Sequence, residues 1–172
     1  MTLEMSLMPE RESLLEIRSL SDGELEEHLS ALFTCSVELS LNGQSLLKYI
    51  PEGMRQSPKL DSEGFHHILC LEFLSNLLKA ANALTQGSSE EDVTLTTSLY
   101  SLVLQRNNNS IRISIEDELR SYHLGQFPFK EFKLAVVVAA KSIVKDLVEA
   151  NPNVERAPQA SDIIGMIAKL AR

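Results

Sequence analysis

The chain has 172 residues, enough for one domain around a single core. Apolar residues make up 44% and charged residues 23%, with no tryptophan and few aromatics, so the core must come from Leu, Ile, Val and Ala. The net charge of −8 argues against nucleic-acid and anionic-membrane partners and in favour of a basic one.

That charge is lopsided. Residues 1–27 carry Glu4, Glu10, Glu12, Glu16, Asp22, Glu24, Glu26 and Glu27 against only Arg11 and Arg18. The bland reading is a solvated acidic face; the functional one is a field that attracts a basic partner. The opening MTLEMSLMPERE lacks the basic and continuous apolar regions of a signal peptide. The longest apolar run, 134–140, is far below membrane-spanning length. A soluble, cytoplasmic protein is expected. Cys35 and Cys70 are the only cysteines, each among apolar neighbours, and read as buried free thiols.

Residues 1–12 read as a loose start, open to disorder, and Pro9 separates it from ERESLLEIRSL, which suits a short helix or a strand. Ser21 to Glu24 is a capping box, opening a helix with Leu25, Leu29, Leu32 and Phe33 on one stripe and Glu24, Glu27 and His28 facing away. Cys35, Val37, Leu39 and Leu41 alternate with polar residues, which predicts a strand over 35–41. Asn42-Gly43 ends it, and residues 44–50 suit either a returning strand or, slightly better, a short helical turn. Residues 51–64 hold Pro51, Gly53, Pro58 and Gly64 and predict a loop.

From Phe65 to Gln86 the apolar spacing predicts one buried helix, with Gly87 closing it and residues 88–92 as a polar connection. A hairpin follows, strands 93–106 and 110–116 joined by Asn108-Asn109, since Asn tolerates the positive φ of tight hairpin turns. In that register Leu104 faces Ile113, Leu102 faces Ile115, Gln105 faces Arg112 and Val103 faces Ser114. Tyr100, Leu102, Leu104, Ile111, Ile113 and Ile115 then share one face, expected to pack on a helix over 130–150. Residues 117–129 predict a loop with a short strand near 122–129. The long helix buries Phe132, Val136, Ala139, Ala140, Ile143 and Leu147, and Pro158 opens a last helix with Ile163, Ile164, Ile167 and Leu170. The fold class is α+β: one small antiparallel sheet of three to four strands covered by four to five helices in a single domain, 1–172.

Chemistry is sparse. His66, His67 and Cys70 form the one cluster resembling a ligand set: on a helix, His66 pairs with Cys70 and Glu63 with His67, on different faces, short of the three or four converging ligands zinc needs. His123 near Asp117 and Glu118 could form an acid–base pair, though such loop histidines are usually solvated. There is no GxSxG elbow and no glycine-rich phosphate loop. Lys130, Lys133, Lys141 and Lys145 outline a basic edge, but Glu131, Asp146 and Glu149 intersperse it, so a balanced charged face is expected. No catalytic residue, metal or cofactor is assigned.

VELSLNGQSLLKYI (37–50) resembles the strand, Asn-Gly, Ser-Leu-Leu opening of some small bacterial immunity proteins. LVLQRNNNSIRISI (102–115) and FKEFKLAVVVAAKSIVKDLVEANP (129–152) resemble the strand–turn–strand–helix ending of similar proteins. The resemblance implies a non-catalytic protein that neutralises a toxin by masking it, and carries over no residue by position. The leading expectation is thus an immunity protein binding a basic toxin domain one to one. Its candidate partner-binding residues are the acids Glu24, Glu27, Glu90, Glu91, Asp92, Asp117 and Glu118. The alternatives are an acidic dimeric secretion chaperone with an exposed apolar patch, and an enzyme or metal-dependent regulator using His66, His67, Cys70 or His123. The sequence leaves the oligomeric state open.

Overall fold

Among the described residues, eight strands and five helices build an α+β fold in which the strands divide between two antiparallel four-stranded sheets, not one. The structure is a computed structural model describing residues 2–51, 64–95 and 100–172. The expected loop at 51–64 therefore lies mostly outside the described residues, as do Glu63 and residues 96–99 of the expected hairpin strand.

The expected loose start is instead strand β1 (Leu3–Pro9), in which Leu3, Met5 and Leu7 point inward. It pairs antiparallel with β2 (Thr34–Leu41), with Leu7 opposite Val37. Alternation over only three apolar residues is a weak signal in isolation; the partner β2 supplies the ladder that makes it a strand. Between them come helices α1 (Arg11–Arg18) and α2 (Asp22–Leu32), the latter opened by the Ser21–Glu24 capping box. Residues 44–50 combine both readings, with a two-residue strand β3 (Gln44–Ser45) followed by a 3-10 turn at Leu47–Tyr49.

The expected helix over 65–86 begins only at Cys70. Phe65–Leu69 is strand β4, paired with β2, and α3 runs Cys70–Gln86. The register slips between Cys35 and Val37, so His66 and His67 bulge opposite Ser36, and His67 adopts φ 54°. The extra residue changes the parity, so that Phe65 and Ile68, three apart, both enter the core and imitate helical spacing. Just before it, Gly64 (φ +155°) presses on β2: a Cβ there would lie 2.5 Å from the Val37 carbonyl oxygen.

The second sheet runs in the order β5 (Glu90–Thr94), β6 (Ser101–Asn107), β7 (Ser110–Glu116), β8 (Ser121–Pro128). The single expected strand 93–106 is thus two strands, and the supposed connection Glu90–Asp92 belongs to β5. The hairpin register is the expected one: Leu104 faces Ile113, Leu102 faces Ile115, Gln105 faces Arg112 and Val103 faces Ser114. Asn108 carries the positive φ of the turn.

Helix α4 (Phe129–Ala150) buries the predicted stripe, but its main neighbour is β1 of the first sheet, and it touches the second sheet at β7 and β8. It therefore joins the two sheets into one core rather than serving the hairpin alone. Helix α5 (Pro158–Leu170) packs on α3 and α4; Ile163, Ile167 and Leu170 are buried, and Ile164 is exposed. Asn151, between α4 and α5, is one of the few buried polar residues. Its Nδ2 donates to the Ile17 and Leu20 carbonyls, both at 3.0 Å, and ties the end of α1 to that junction. None of the described helices is long and apolar enough to cross a membrane.

Candidate binding surface

The second sheet buries one face in the core and turns the other outward. Cross-strand pairing assigns the outward rows: Glu90, Gln105, Arg112 and Gln126; then Asp92, Val103, Ser114 and His123; then Thr94, Ser101, Glu116 and Ser121, with Val103 and Ser114 at the centre buried and the charged residues around them accessible. A bulge in β8 between the partners of Ile113 and Ser114 brings His123 onto this face. Arg112 Nε donates to His123 Nδ1 at 3.2 Å, and Gln126 Nε2 donates to the Ser110 hydroxyl at 2.7 Å. Together with Gln105 and Asn107 these residues line an open depression of about 340 Å³.

The acids sit beside that depression. Glu90 accepts from Gln105 Nε2 at 2.6 Å, and Glu116 accepts from the Ser121 hydroxyl at 2.7 Å. Partial burial first, then the charges of Glu90, Glu116 and Glu91, push the Asp92 carboxyl above its ordinary range. None of Glu90, Asp92 and Glu116 forms an ion pair among the described residues.

The structure brings only part of the expected acidic set together. Glu90 and Asp92 share the open face, whereas Glu91, opposite Leu104, belongs to the inward row at the sheet edge. Asp117 lies at the β7–β8 turn, where its Oδ1 accepts from the backbone N–H groups of Leu119 (2.8 Å) and Arg120 (2.7 Å), which is a turn-stabilising role. Glu118 is exposed in the same turn. Glu24 and Glu27 are on α2, away from this sheet. Glu24 is committed to the cap, bonded to the Ser21 hydroxyl and N–H, which hold its carboxyl below the usual range. Glu27 lies 3.7 Å from the His28 ring. Glu116 is absent from the expected acidic set, although the predicted register, extended by one row, places it opposite Ser101 on the face of Val103 and Ser114; the β5–β6 pairing then adds Asp92 to that face.

The histidine–cysteine cluster is dispersed by the bulge at β4. His66 Nδ1 lies 3.0 Å from the Ser36 hydroxyl, while His67 Nδ1 sits 2.7 Å from Glu10 Oε1. Glu10 also accepts from the Thr34 hydroxyl (2.7 Å) and the His67 backbone N–H (3.2 Å), so one carboxylate staples β1, β2 and β4. Burial raises the Glu10 carboxyl, but the bonds from Thr34 and His67 outweigh it and hold it low. Cys70 is a core thiol pushed well up by burial and by its neighbour Cys35, the opposite of an activated nucleophile. The expected His66–Cys70 helical pair does not exist, since only Cys70 is on the helix. Among the described residues no three His, Cys, Asp or Glu side chains converge as a metal site.

No protein-family model, no curated protein and no solved structure matches the chain.

Proposed function

We propose that this chain is a non-catalytic binding protein: an immunity protein that neutralises a bacterial toxin in the cytoplasm by one-to-one binding. Its binding surface is the open face of the second sheet. The observation that carries this reading is the set Glu90, Asp92 and Glu116, held on rigid strands without an ion-pair partner among the described residues. Like charges fixed side by side destabilise the free protein slightly, and a cationic partner would relieve that repulsion while gaining a faster encounter. Arg112 and His123, on β7 and β8 across the sheet from Glu90 and Asp92, give the surface a direction, so a partner would dock in one orientation. Strand presentation suits recognition that must be rigid and pre-organised.

The test is co-expression with a toxin domain encoded beside this gene. A one-to-one complex is expected, weakened at least about tenfold by Glu90→Lys with Glu116→Lys. Neighbouring genes without any toxin or secretion component, or a complex indifferent to that double change, would overturn the reading.

A further inference from the structure

The opposite charge is gathered elsewhere. A groove of about 800 Å³ runs beside the first half of α4, between the hairpin tip, the end of α3 and the end of α5. Its cations are Arg106, Lys130, Lys133, Lys141 and Arg172, and none of them forms an ion pair with a carboxylate among the described residues. Its floor is apolar: Phe129, Leu134, Val137 and Leu170. Leu134 (56% exposed) opens onto solvent, as does its neighbour Val138 (57%).

The mixture of lysines and acids expected along this helix resolves by rotation. Lys130, Lys133, Leu134, Val137 and Lys141 recur at three- and four-residue steps and share a side. Glu131, Asp146 and Glu149 lie about 100° to 160° around the helix from Lys130, at 3.6 residues per turn. Lys145 is spent on Glu149, 3.6 Å away. The groove-facing side therefore carries cations and apolar residues only.

We infer that this groove docks an acidic amphipathic helix of a partner protein. From Lys130 to Lys141 it extends roughly 16 Å, about three helical turns at 1.5 Å per residue. That length matches a helix whose apolar side would meet Leu134 and the edge of Val137 while flanking carboxylates meet the lysines. Arg106 makes one end of the groove rigid: its guanidinium covers the Phe129 ring at 4.2 Å, donates to the Asn108 carbonyl at 3.0 Å and also bonds the Leu84 carbonyl at the end of α3. Because that ring is covered and buried, it offers no platform for a nucleic-acid base. A planar anionic membrane would reach only the rim of a concave surface on a chain of net charge −8. A second copy is a poor occupant, since its exposed Leu15 is flanked by Arg11 and Arg18 as well as by Glu12 and Glu16, and such a heterologous contact would build rings or filaments rather than a closed dimer. This inference is independent of the sheet-face reading, and charge changes at the groove leave Glu90 and Glu116 intact.

The experiment uses the full chain and a fluorescent helical peptide with leucines on one side and glutamates flanking them, read by anisotropy. Saturable binding is expected, weakened at least about tenfold by Lys133→Glu with Lys141→Glu and by replacing the peptide's glutamates with glutamines. It should also weaken with added salt. Circular dichroism and thermal melting check that the double variant is folded; Lys133→Gln, which merely deletes one charge, should weaken binding by a smaller factor. Absence of peptide binding, or equal binding by the double variant, would overturn the inference. So would a preference for phosphatidylserine vesicles or a short RNA over the peptide, or self-association that the double variant abolishes.

Discussion

Asp92→Asn is expected to stabilise the free protein at neutral pH, by an amount the strand geometry sets. Asp92 and Glu90 are two apart on one face of β5, roughly 7 Å at strand spacing. Coulomb repulsion at that distance in water is about 0.6 kcal/mol, halved by screening at about 0.1 M salt. Glu116 is two strands and one row away, roughly 12 Å, and adds about 0.1 kcal/mol. The expected gain is therefore about 0.4 kcal/mol, or roughly 1 °C in melting temperature for a chain of this size. The sign with pH follows from linkage. A carboxyl raised in the folded state binds more protons folded than unfolded as pH rises through its titration, so stability falls across that window. The advantage of Asp92→Asn should thus be small below the ordinary Asp range and reach its full value above the raised one. Denaturant melts at several pH values in low and high salt would measure it. A gain that is the same at pH 3 and pH 7, a gain indifferent to roughly 1 M salt, or a loss at neutral pH would refute the reasoning.

Asn151→Ala should destabilise by about 2–3 kcal/mol, because it leaves the Ile17 and Leu20 carbonyls without their Nδ2 donor; a chemical melt within about 0.5 kcal/mol of the parent would contradict this. Gly64→Ala should cost about 2 kcal/mol or more, since its Cβ would meet the Val37 carbonyl oxygen at a residue of φ +155°, and a normal melting temperature would show that β2 can yield there. Neither Cys35 nor Cys70 should react with a thiol reagent in the folded protein, and both should react in denaturant; rapid labelling of the native chain would mean that the core thiols are accessible.

What could be read from residues alone was the structure whose signal is local. The hairpin register was legible because Leu102, Leu104, Ile113 and Ile115 agree in only one alignment, and the Ser21 capping box because its two bonds span three residues. What could not be read depended on a distant partner or on a change of parity. Leu3–Pro9 is a strand because β2 accepts it, and β4 hid as helix because the His67 bulge places Phe65 and Ile68 on one side. The same limit applies to the open face. In sequence Glu90 and Asp92 are simply members of an acidic run; only pairing with β6 separates them from Glu91, and only the β8 bulge delivers His123 to Arg112.

Net charge was the least faithful guide, because it averages surfaces that the fold keeps apart. A total of −8 bears on a basic partner only at whichever face carries the acids. The acids of residues 1–27, prominent in sequence, are spread over a strand and two helices, and those placed by bonding are structural: Glu10 staples three strands and Glu24 caps α2. The smaller set Glu90, Asp92 and Glu116 shares one sheet face and forms no ion pair among the described residues. Likewise the lysines of α4 look neutralised in sequence, but a single residue step turns about 100° around the helix and carries Glu131 off the groove side. Helix period thus separates charges that composition pools, and strand pairing gathers charges that composition scatters. The two surfaces that result have opposite signs and lie on different elements, so charge reversal at one should leave binding at the other unchanged. Loss of both activities from Glu90→Lys with Glu116→Lys alone would mean that a single partner spans both faces.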